Sequence, residues 1–364
     1  LTWGAVLRDL QVPLPSGELQ RVVLGFDSLD NYIAHSPHMG AIAGRVANRI
    51  GHGRFSIDGT VYEVDRNQGG RHMLHGGAKG FGKRPWQLAH HDDSSVTLTL
   101  LSPDGDHGFP GNVTVTCVYR LLEPATLRIE LSATSDRPTP VNLAHHTYFN
   151  LDGSPSVLDH RMRVEADFIT GTDADLIATG EIRSVEGTPY DFRGNRSIRF
   201  PDAETGAPVH YDINFVLRRN RLEPSGIPGL PLAHAALVAS LRNNLALDVW
   251  TTEPGLQVYD GRKIDLTGIP GLAGAAQGDV IVVEYLDYNC PYCRKMHAEI
   301  QGLLKADPKA RVLYKQWPVF GPVSTYAART VLAATWQGKD LAAHDALITS
   351  PSRLDSQDTV RRRL

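Results

Sequence analysis

The chain has 364 residues, of which 41% are hydrophobic and 21% charged, and its formal net charge at pH 7 is −3. This length predicts two or three domains with a sizeable core. The charge gives no electrostatic reason to expect nucleic acid or an anionic membrane as a partner, and no apolar run approaches the ~18 residues of a membrane-spanning helix.

The first part of the chain, up to roughly residue 270, is typical of an all-β domain. Short runs of alternating apolar residues are separated by turns, and the chain has 34 glycines and 23 prolines. Residues 55–59 and 61–64 predict a hairpin that turns at Asp58-Gly59. Further predicted strands cover residues 96–101, 113–121, 127–133, 161–166, 235–241 and 245–250. A large antiparallel sandwich is the simplest architecture for this pattern.

Two adjacent histidines, His145 and His146, lie in a predicted strand within segment 141–151 (VNLAHHTYFNL). Neighbouring strand residues point to opposite faces, so one pocket cannot easily use both side chains. Neither an H-x-x-x-H nor an H-E-x-x-H spacing supports a metal site, and we predict no metal and no cofactor. The alternative interpretation is one structural and one exposed histidine.

A third histidine, His75, precedes Gly76-Gly77, and two glycines let the backbone and a ligand approach each other closely. By itself, a histidine before two glycines is a weak signal of function. Cys117 stands alone in an alternating strand and is predicted to be a packed core thiol.

The second part of the chain has an α/β pattern. A strand over 279–286 leads into Cys290-Pro291-Tyr292-Cys293, followed by a helix over 291–305. A strand over 311–316 and helices over 324–336 and 341–348 come next, with Ser324 as the predicted N-cap. Because residues 268–278 have the composition of a linker, we predict domains over 1–273 and 279–364 joined by 274–278.

The C-x-x-C motif at the start of a helix indicates redox chemistry. The helix dipole and the free N–H groups stabilise a thiolate there, so Cys290 is the predicted nucleophile and Cys293 the resolving thiol. The alternative, half of a zinc site, requires two more ligands, and the sequence has no second C-x-x-C. A redox pair fits an oxidising space such as the periplasm. The compartment, periplasm or cytoplasm, is not predicted.

Five motifs in the first part can be compared with a known family. They cover 44–50 (GRVANRI), 74–77 (LHGG), 146–151 (HTYFNL), 211–215 (YDINF) and 252–259 (TEPGLQVY). In this order they resemble the aldose 1-epimerase (galactose mutarotase) family over residues 1–273. The resemblance implies a mainly β fold, an antiparallel β-supersandwich that is incomplete at its C-terminal end. It also implies interconversion of the α and β anomers of a hexose such as glucose or galactose.

The same resemblance implies roles for individual residues. Ring opening needs an acid at the ring oxygen and a base at the C1 hydroxyl, and histidine exchanges protons near neutral pH. By resemblance, His146 is the acid, and His75 holds or polarises the sugar. The residues implied to bind the sugar are Asn48, Arg49, His75, Tyr148, Asp212 and Gln257.

Two features depart from the family's pattern. The family's catalytic base is a glutamate in a Leu-Glu-x-Gln type motif after the region of Gln257, and no such motif follows here. Glu284 lies near the expected distance, but its neighbours fit a different resemblance. Ile213 stands where the family commonly has histidine. We therefore expect hexose binding with weak turnover.

Residues 279–364 resemble the DsbA-like thiol–disulfide oxidoreductases of the thioredoxin superfamily. The matching stretches are 283–293, 317–324 and 336–339. The family's cis-proline loop and last strands do not follow, so we expect a partial α/β thioredoxin-like domain with weak activity toward protein thiols.

Three interpretations follow from the two resemblances. The chain is a mutarotase-type isomerase with a redox-like C-terminal segment, a thiol–disulfide oxidoreductase with a sugar-binding β domain, or an inactive fusion of two partial genes. The first interpretation has the longer set of motifs, and we adopt it.

Overall fold

A computed structural model describes residues 1–26, 28–36, 38–262, 264, 272–274, 280–307, 309–334 and 337–364. The chain forms two compact units, Leu1–Arg262 (the first unit) and Lys263–Leu364 (the second unit). Of the predicted linker, residues 275–278 lie outside the described residues, as does Trp336 in the predicted helix over 324–336. The domain boundary after residue 273 stays a prediction.

The described residues of the first unit form short strands and one short α-helix, α1 (Leu29–His35). Its strands are β1 (Gln11–Pro13), β2 (Leu19–Arg21), β3 (Ala41–Ala43), β4 (Arg49–Ile50), β5 (Arg54–Ile57), β6 (Thr60–Glu63), β7 (Met73–Leu74), β8 (Gln87–His91), β9 (Ser95–Ser102), β10 (Val113–Leu122), β11 (Thr126–Ser135), β12 (Ala144–His146), β13 (Arg161–Val164), β14 (Ala166–Thr172), β15 (Ala178–Ser184), β16 (Arg196–Ser197), β17 (Asp212–Leu217), β18 (Leu222–Glu223), β19 (Leu232–Ala239), β20 (Ala246–Thr251) and β21 (Gly255–Tyr259).

These strands pair antiparallel in three larger sheets. The sheets have the orders β11-β10-β9-β8, β15-β14-β17-β21 and β16-β13-β19-β18, with β20 also paired to β19. Strand β10 shows how alternation builds the core, because Val113, Val115 and Cys117 are each 0% exposed. The prediction of a mainly β, antiparallel fold is confirmed.

The predicted strands and the predicted hairpin of the first unit are present, with small shifts of their ends. Asp58 and Gly59 have φ values of 48° and 80°, as the two-residue turn between β5 and β6 requires. Strand β19 begins at Leu232 and ends at Ala239, before the predicted end at 241. The chain turns there instead, because Ser240 N–H donates to the carbonyl of Leu245 (2.9 Å).

One buried cation ties several loops of the first unit together. Arg45 is 1% exposed. Its guanidinium donates to Ser102 Oγ, to Thr139 Oγ1 and to the carbonyls of Ser102, Pro103, Pro110 and Gly111 at 2.8–3.3 Å. Because every nitrogen is satisfied, this buried charge fixes the turns that follow β9 and precede β10.

The second unit is a small α/β structure, as predicted. Its elements are β22 (Leu272–Gly274), β23 (Val280–Leu286), α2 (Pro291–Ala306), β24 (Ala310–Gln316), α3 (Pro322–Ala334), α4 (Asp340–Ile348) and α5 (Gln357–Arg363). The strand order is β22-β24-β23, with β23 parallel and β22 antiparallel to β24. Leu272–Gly274 therefore belongs to this sheet.

The predicted N-cap at Ser324 is wrong. Helix α3 begins at Pro322, and Ser324 lies inside it, 1% exposed. Proline is favoured in a first helical turn because its missing N–H has no partner to lose there. The hydroxyl of Ser324 accepts a hydrogen bond from Asn289 Nδ2 (3.1 Å) instead of capping the helix.

Throughout the described part of the chain, no helix has the length and apolarity needed to cross a bilayer.

Candidate functional site

Strands β4 and β7 place Asn48 beside His75. The two strands pair antiparallel, and beyond their ends His75 N–H donates to the carbonyl of Asn48 (2.9 Å). Asn48 N–H in turn donates to His75 Nδ1 (3.0 Å). An Nδ1 that accepts a hydrogen bond has no proton of its own, so the neutral ring carries its proton on Nε2. His75 can thus donate from Nε2 to a ligand.

Gly76, directly after His75, lets two backbone segments pack closely against each other. Gly76 has φ 83°, and a Cβ there would lie 1.7 Å from the carbonyl oxygen of Gly44. Only glycine allows this approach of two chain segments. The close approach that the structure shows beside His75 is between two backbone segments, and the predicted approach of a ligand stays a prediction.

The ring of His146 lies against that of His75, with centroids 5.1 Å apart and nearly perpendicular planes. The ring centroid of Tyr148 lies 5.1 Å from that of His146. A further histidine, His38, contacts both, with centroids 4.4 Å from His75 and 5.7 Å from His146. His38 was not predicted. It lies before β3, and the pairing of β3 with β12 brings it to His146, a tertiary contact that no motif signals.

Burial keeps this histidine cluster (His38, His75, His146) neutral. It lowers the pKa of His75 to about 3, with smaller effects from the charges of His146, Arg49 and Lys83. Burial likewise lowers the pKa of His38 to about 2, and neighbouring His75 adds to it. The pKa of His146 is also lowered by burial, and the carboxylate of Asp212 opposes that effect. At neutral pH the rings therefore act as hydrogen-bonding groups.

His145 points away from the cluster. Its ring lies 5.6 Å from that of Tyr119 in the core, and its Nε2 lies 3.0 Å from Thr147 Oγ1. The adjacent histidines thus lie in different surroundings, with His145 structural and His146 in the pocket.

Polar groups from three strands continue the site. Gln257 Nε2 on β21 donates to Asp212 Oδ1 on β17 (2.8 Å), and Asn48 Nδ2 donates to Gln257 Oε1 (3.4 Å). Arg49 donates to Asn48 Oδ1 (2.9 Å) and lies 4.0 Å from Asp212 Oδ2. Gln68, also not predicted, accepts from Arg49 Nε (2.9 Å). The side chains of Arg49 and Asp212 are 11% and 30% exposed, so the chain of contacts can be reached from solvent.

Alternation on β17 explains the residue after Asp212. Asp212 faces the polar groups, and Ile213 is 7% exposed within the hydrophobic core. An apolar side chain fits that position.

Tyr148 lies next to His146, and its ring centroid is 6.0 Å from that of Tyr259. Burial raises the pKa of Tyr148, and the charges of Tyr259 and Asp212 raise it further. Tyr259 also was not predicted.

The structure brings the predicted sugar-binding residues into one surface of the first unit. The surface offers donors from His75 Nε2, the amides and the guanidinium, an acceptor in the carboxylate of Asp212, and the imidazole of His146. That set suits a ligand with several hydroxyl groups. Glu284 lies on β23 of the second unit.

The predicted redox pair lies at the start of α2. Cys290 is the N-cap residue, its N–H donates to the carbonyl of Asp287 (2.9 Å), and Pro291 occupies the first helical position. Asp287, 3% exposed, also accepts from the N–H groups of Val319 (2.7 Å) and Phe320 (2.9 Å). The loop before the helix is therefore held in place on both sides.

Cys293 and Glu284 are both affected by burial. Burial raises the pKa of Cys293 to about 11, and the hydrogen bond and charge of Cys290 and the charge of Glu284 add to it. Burial alone raises the pKa of Glu284 to about 7. Both cysteines are free thiols and partly exposed, while burial raises the pKa of Cys117 to about 12.

Comparisons with known proteins find two families along the chain, with matches that overlap over residues 269–286. The family described as aldose 1-epimerase matches residues 1–286, and the family described as thioredoxin matches residues 269–353. The aldose 1-epimerase of Escherichia coli (strain K12) is 37% identical over 292 residues, which cover 79% of this chain and 82% of that protein. The galactose mutarotase of Bos taurus is 37% identical over 283 residues, covering 76% and 77%.

A solved structure gives the same result for the fold. The GalM/aldose epimerase homologue from C. elegans superposes with a TM-score of 0.65 at 31% identity, over 73% of this chain and 78% of that one.

Proposed function

Since the chain belongs to the aldose 1-epimerase family, we propose that the pocket around His75, His146 and Asp212 interconverts the α and β anomers of a hexose. The observation that carries this proposal is the contact of two half-buried imidazoles, with centroids 5.1 Å apart, beside the linked side chains of Asn48, Gln257 and Asp212. A hexose needs both a proton donor at its ring oxygen and several partners for its hydroxyls.

The proposed reaction opens and recloses the sugar ring. The small protonated fraction of His146 gives its proton to the ring oxygen, the bond between that oxygen and C1 breaks, and the C1 hydroxyl loses its proton to a base. The open aldehyde rotates about C1–C2, and the reverse steps give the other anomer. His75 holds the ring oxygen from Nε2, while Asp212 and Gln257 hold the hydroxyls.

The lowered pKa of His146 sets the expected pH dependence. Above its pKa the protonated fraction of an acid falls about tenfold per pH unit. Enzymatic turnover should therefore rise as the pH falls from 7 toward 6, because more His146 carries a proton. Buffer alone, at each pH, gives the uncatalysed rate to subtract.

Polarimetry of freshly dissolved α-glucose and α-galactose tests the role of His146. His146→Gln should lower turnover by roughly 10²–10⁴-fold, the usual contribution of a general acid. His145→Gln is the matched control, because it changes the neighbouring residue whose ring faces Tyr119. Equal turnover in the His146 variant and the parent protein would contradict the proposal.

The base is tested separately, since no glutamate motif of the family follows Gln257. We expect turnover well below that of an intact family member. Glu284→Gln distinguishes two cases. If the variant loses the remaining turnover, Glu284 is the base. If the turnover is unchanged, another group or water accepts the proton.

Thiol–disulfide exchange is a second candidate function, favoured by the position of Cys290 at the N-terminus of α2. The Cys290 thiolate would attack a partner disulfide and release one partner thiolate. Cys293 would then attack the mixed disulfide, leaving a Cys290–Cys293 disulfide and a reduced partner. Glutathione disulfide reduction should be detectable in the parent protein and lost in Cys290→Ser.

A further inference from the structure

Helices α2 and α4 bring three possible metal ligands together in the second unit. His297 lies four residues after Cys293 on α2, and His344 and Asp345 are adjacent on α4. The two imidazole centroids are 5.3 Å apart, and His297 Nε2 lies 3.8 Å from Asp345 Oδ1. One ligand atom from each residue lies within 4.8 Å of the other two.

Both histidines are buried with unused nitrogens. His297 is 8% and His344 2% exposed. Within the described ranges of the chain, His297 Nδ1 and His344 Nε2 have no hydrogen-bond partner. A buried polar atom without a partner is unfavourable, so two of them on neighbouring histidines point to a ligand.

The surroundings of His344 favour ligation through Nε2. Its Nδ1 lies 3.2 Å from the hydroxyl oxygen of Tyr288, which accepts a hydrogen bond from Gln316 Nε2 (2.9 Å). If Nδ1–H donates to that oxygen, the Nε2 lone pair is free to bind a metal. Metal-bound histidines are commonly oriented by such a bond from the other ring nitrogen.

We propose that His297, His344 and Asp345 bind a Zn²⁺ ion. Two imidazoles and one carboxylate are a donor set that zinc accepts, whereas Mg²⁺ and Ca²⁺ prefer oxygen ligands alone. With bonds of 2.0–2.1 Å, tetrahedral ligand atoms lie roughly 3.4 Å apart. The side chain of Asp345 is 56% exposed, so it can change rotamer and shorten the 3.8 Å between its Oδ1 and His297 Nε2. A fourth position is left for water.

A bound ion would join α4 to the helix that carries both cysteines. Binding to the folded chain alone stabilises it by mass action, so zinc should slow hydrogen exchange in α2 and α4. This inference involves only second-unit residues and does not depend on the sugar pocket.

Calorimetry with zinc chloride on the full chain tests the site. The protein is first stripped with a chelator and treated with iodoacetamide, so that thiolates cannot bind the metal. We expect one equivalent of Zn²⁺ per chain at these residues. His297→Gln and Asp345→Ala should each weaken binding by at least about 10–100-fold, since even the loss of an outer partner has that effect.

His90→Gln is the matched control. His90 Nε2 also lies 3.8 Å from a carboxylate, that of Asp92, but its side chain is 67% exposed. This variant should bind zinc as the parent does. Asp345→Ala alone decides the matter if the buried His297 variant fails to fold. Unchanged binding in Asp345→Ala, no saturable binding in the parent, or no slowing of exchange in α2 and α4 overturns the proposal.

Discussion

The two units of this chain differ in how densely they hold buried polar atoms without a partner: among the described residues such atoms are more frequent per residue in the second unit than in the first, where His38 Nδ1 is one example. In the first unit, the guanidinium of Arg45 is buried and every one of its nitrogens donates a hydrogen bond. In the second unit, Glu284 Oε2, His297 Nδ1 and His344 Nε2 are buried without a partner among the residues that the structure describes.

This difference indicates where each unit can respond to its surroundings. A fully satisfied buried charge makes a rigid scaffold, and the first unit uses it to hold the turns that follow β9 and precede β10. Unpartnered buried groups can gain a proton or an ion at a net benefit. We therefore expect the first unit to depend on backbone packing and the second on what binds inside it.

The strongest test of rigidity in the first unit is Gly76→Ala. A Cβ would lie 1.7 Å from the Gly44 carbonyl oxygen, and we expect the free energy of unfolding to fall by roughly 4 kcal/mol or more. Gly69 also has a positive φ, 58°, but no atom within 4 Å, so Gly69→Ala should cost only about 1–2 kcal/mol. Urea unfolding with hydrogen exchange and mass spectrometry reports both units separately. Equal losses would show that the close approach is unimportant.

The second expected effect concerns the three thiols. With a pKa of about 11, Cys293 should be alkylated roughly 100-fold more slowly than a free thiol at pH 8.5, because so little thiolate is present. Cys117, 0% exposed, should not react while the first unit is folded. Cys290 should be labelled first by iodoacetamide, as mass spectrometry of each peptide can show. Labelling of Cys117 at the rate of Cys290 would contradict the described core.

Hexose binding tests whether the pocket of the first unit is preformed. Asp212→Ala should weaken binding of galactose and glucose by roughly 10- to 100-fold, since a hydrogen bond to a charged group contributes about 1.5–3 kcal/mol. Asp159→Ala is the control, because Asp159 also pairs with an arginine (2.8 Å to Arg199) but is 73% exposed. Calorimetry gives both affinities. Similar binding by both variants would place the sugar elsewhere.

The smallest effect is the pH dependence of stability that His38 contributes. Its pKa is about 2 in the folded chain and near 6.5 in an unfolded one, so only the unfolded chain takes up the proton between these values. Stability is thus present above pH 6.5 and lost as the pH falls, by about 1.4 kcal/mol per pH unit. Between pH 6 and pH 5, His38→Gln should remove that part of the slope. If the free energy of unfolding by urea keeps the same dependence on pH in this variant, His38 takes up its proton in the folded chain as well.

The sequence could predict those residues whose positions are indicated by the residues next to them in the chain, through strand alternation or the start of a helix. Asp212 and Gln257 lie on strands whose alternation separates the pocket face from the core, and Cys290 precedes an evident helix. Segments 44–50 and 74–77 both contribute to the pocket because β4 pairs with β7.

The residues that the sequence could not predict are joined only by tertiary contacts. His38 reaches the pocket through the pairing of β3 with β12, and His297 meets His344 because α2 packs near α4. Ser324 shows the reverse case, in which a good capping residue is drawn into the core by a hydrogen bond from Asn289. A tertiary contact can therefore override the preference of a residue for a position in local secondary structure.

The pairing of β22 with β24 has a consequence for anyone who divides the chain. A recombinant fragment that starts at residue 279 would lack Leu272–Gly274 and leave Arg311, Val312 and Leu313 with an open strand edge. Open edges pair with other chains and promote self-association. Fragments of the second unit should therefore begin before Leu272, even though the strand lies in a stretch whose composition resembles a linker.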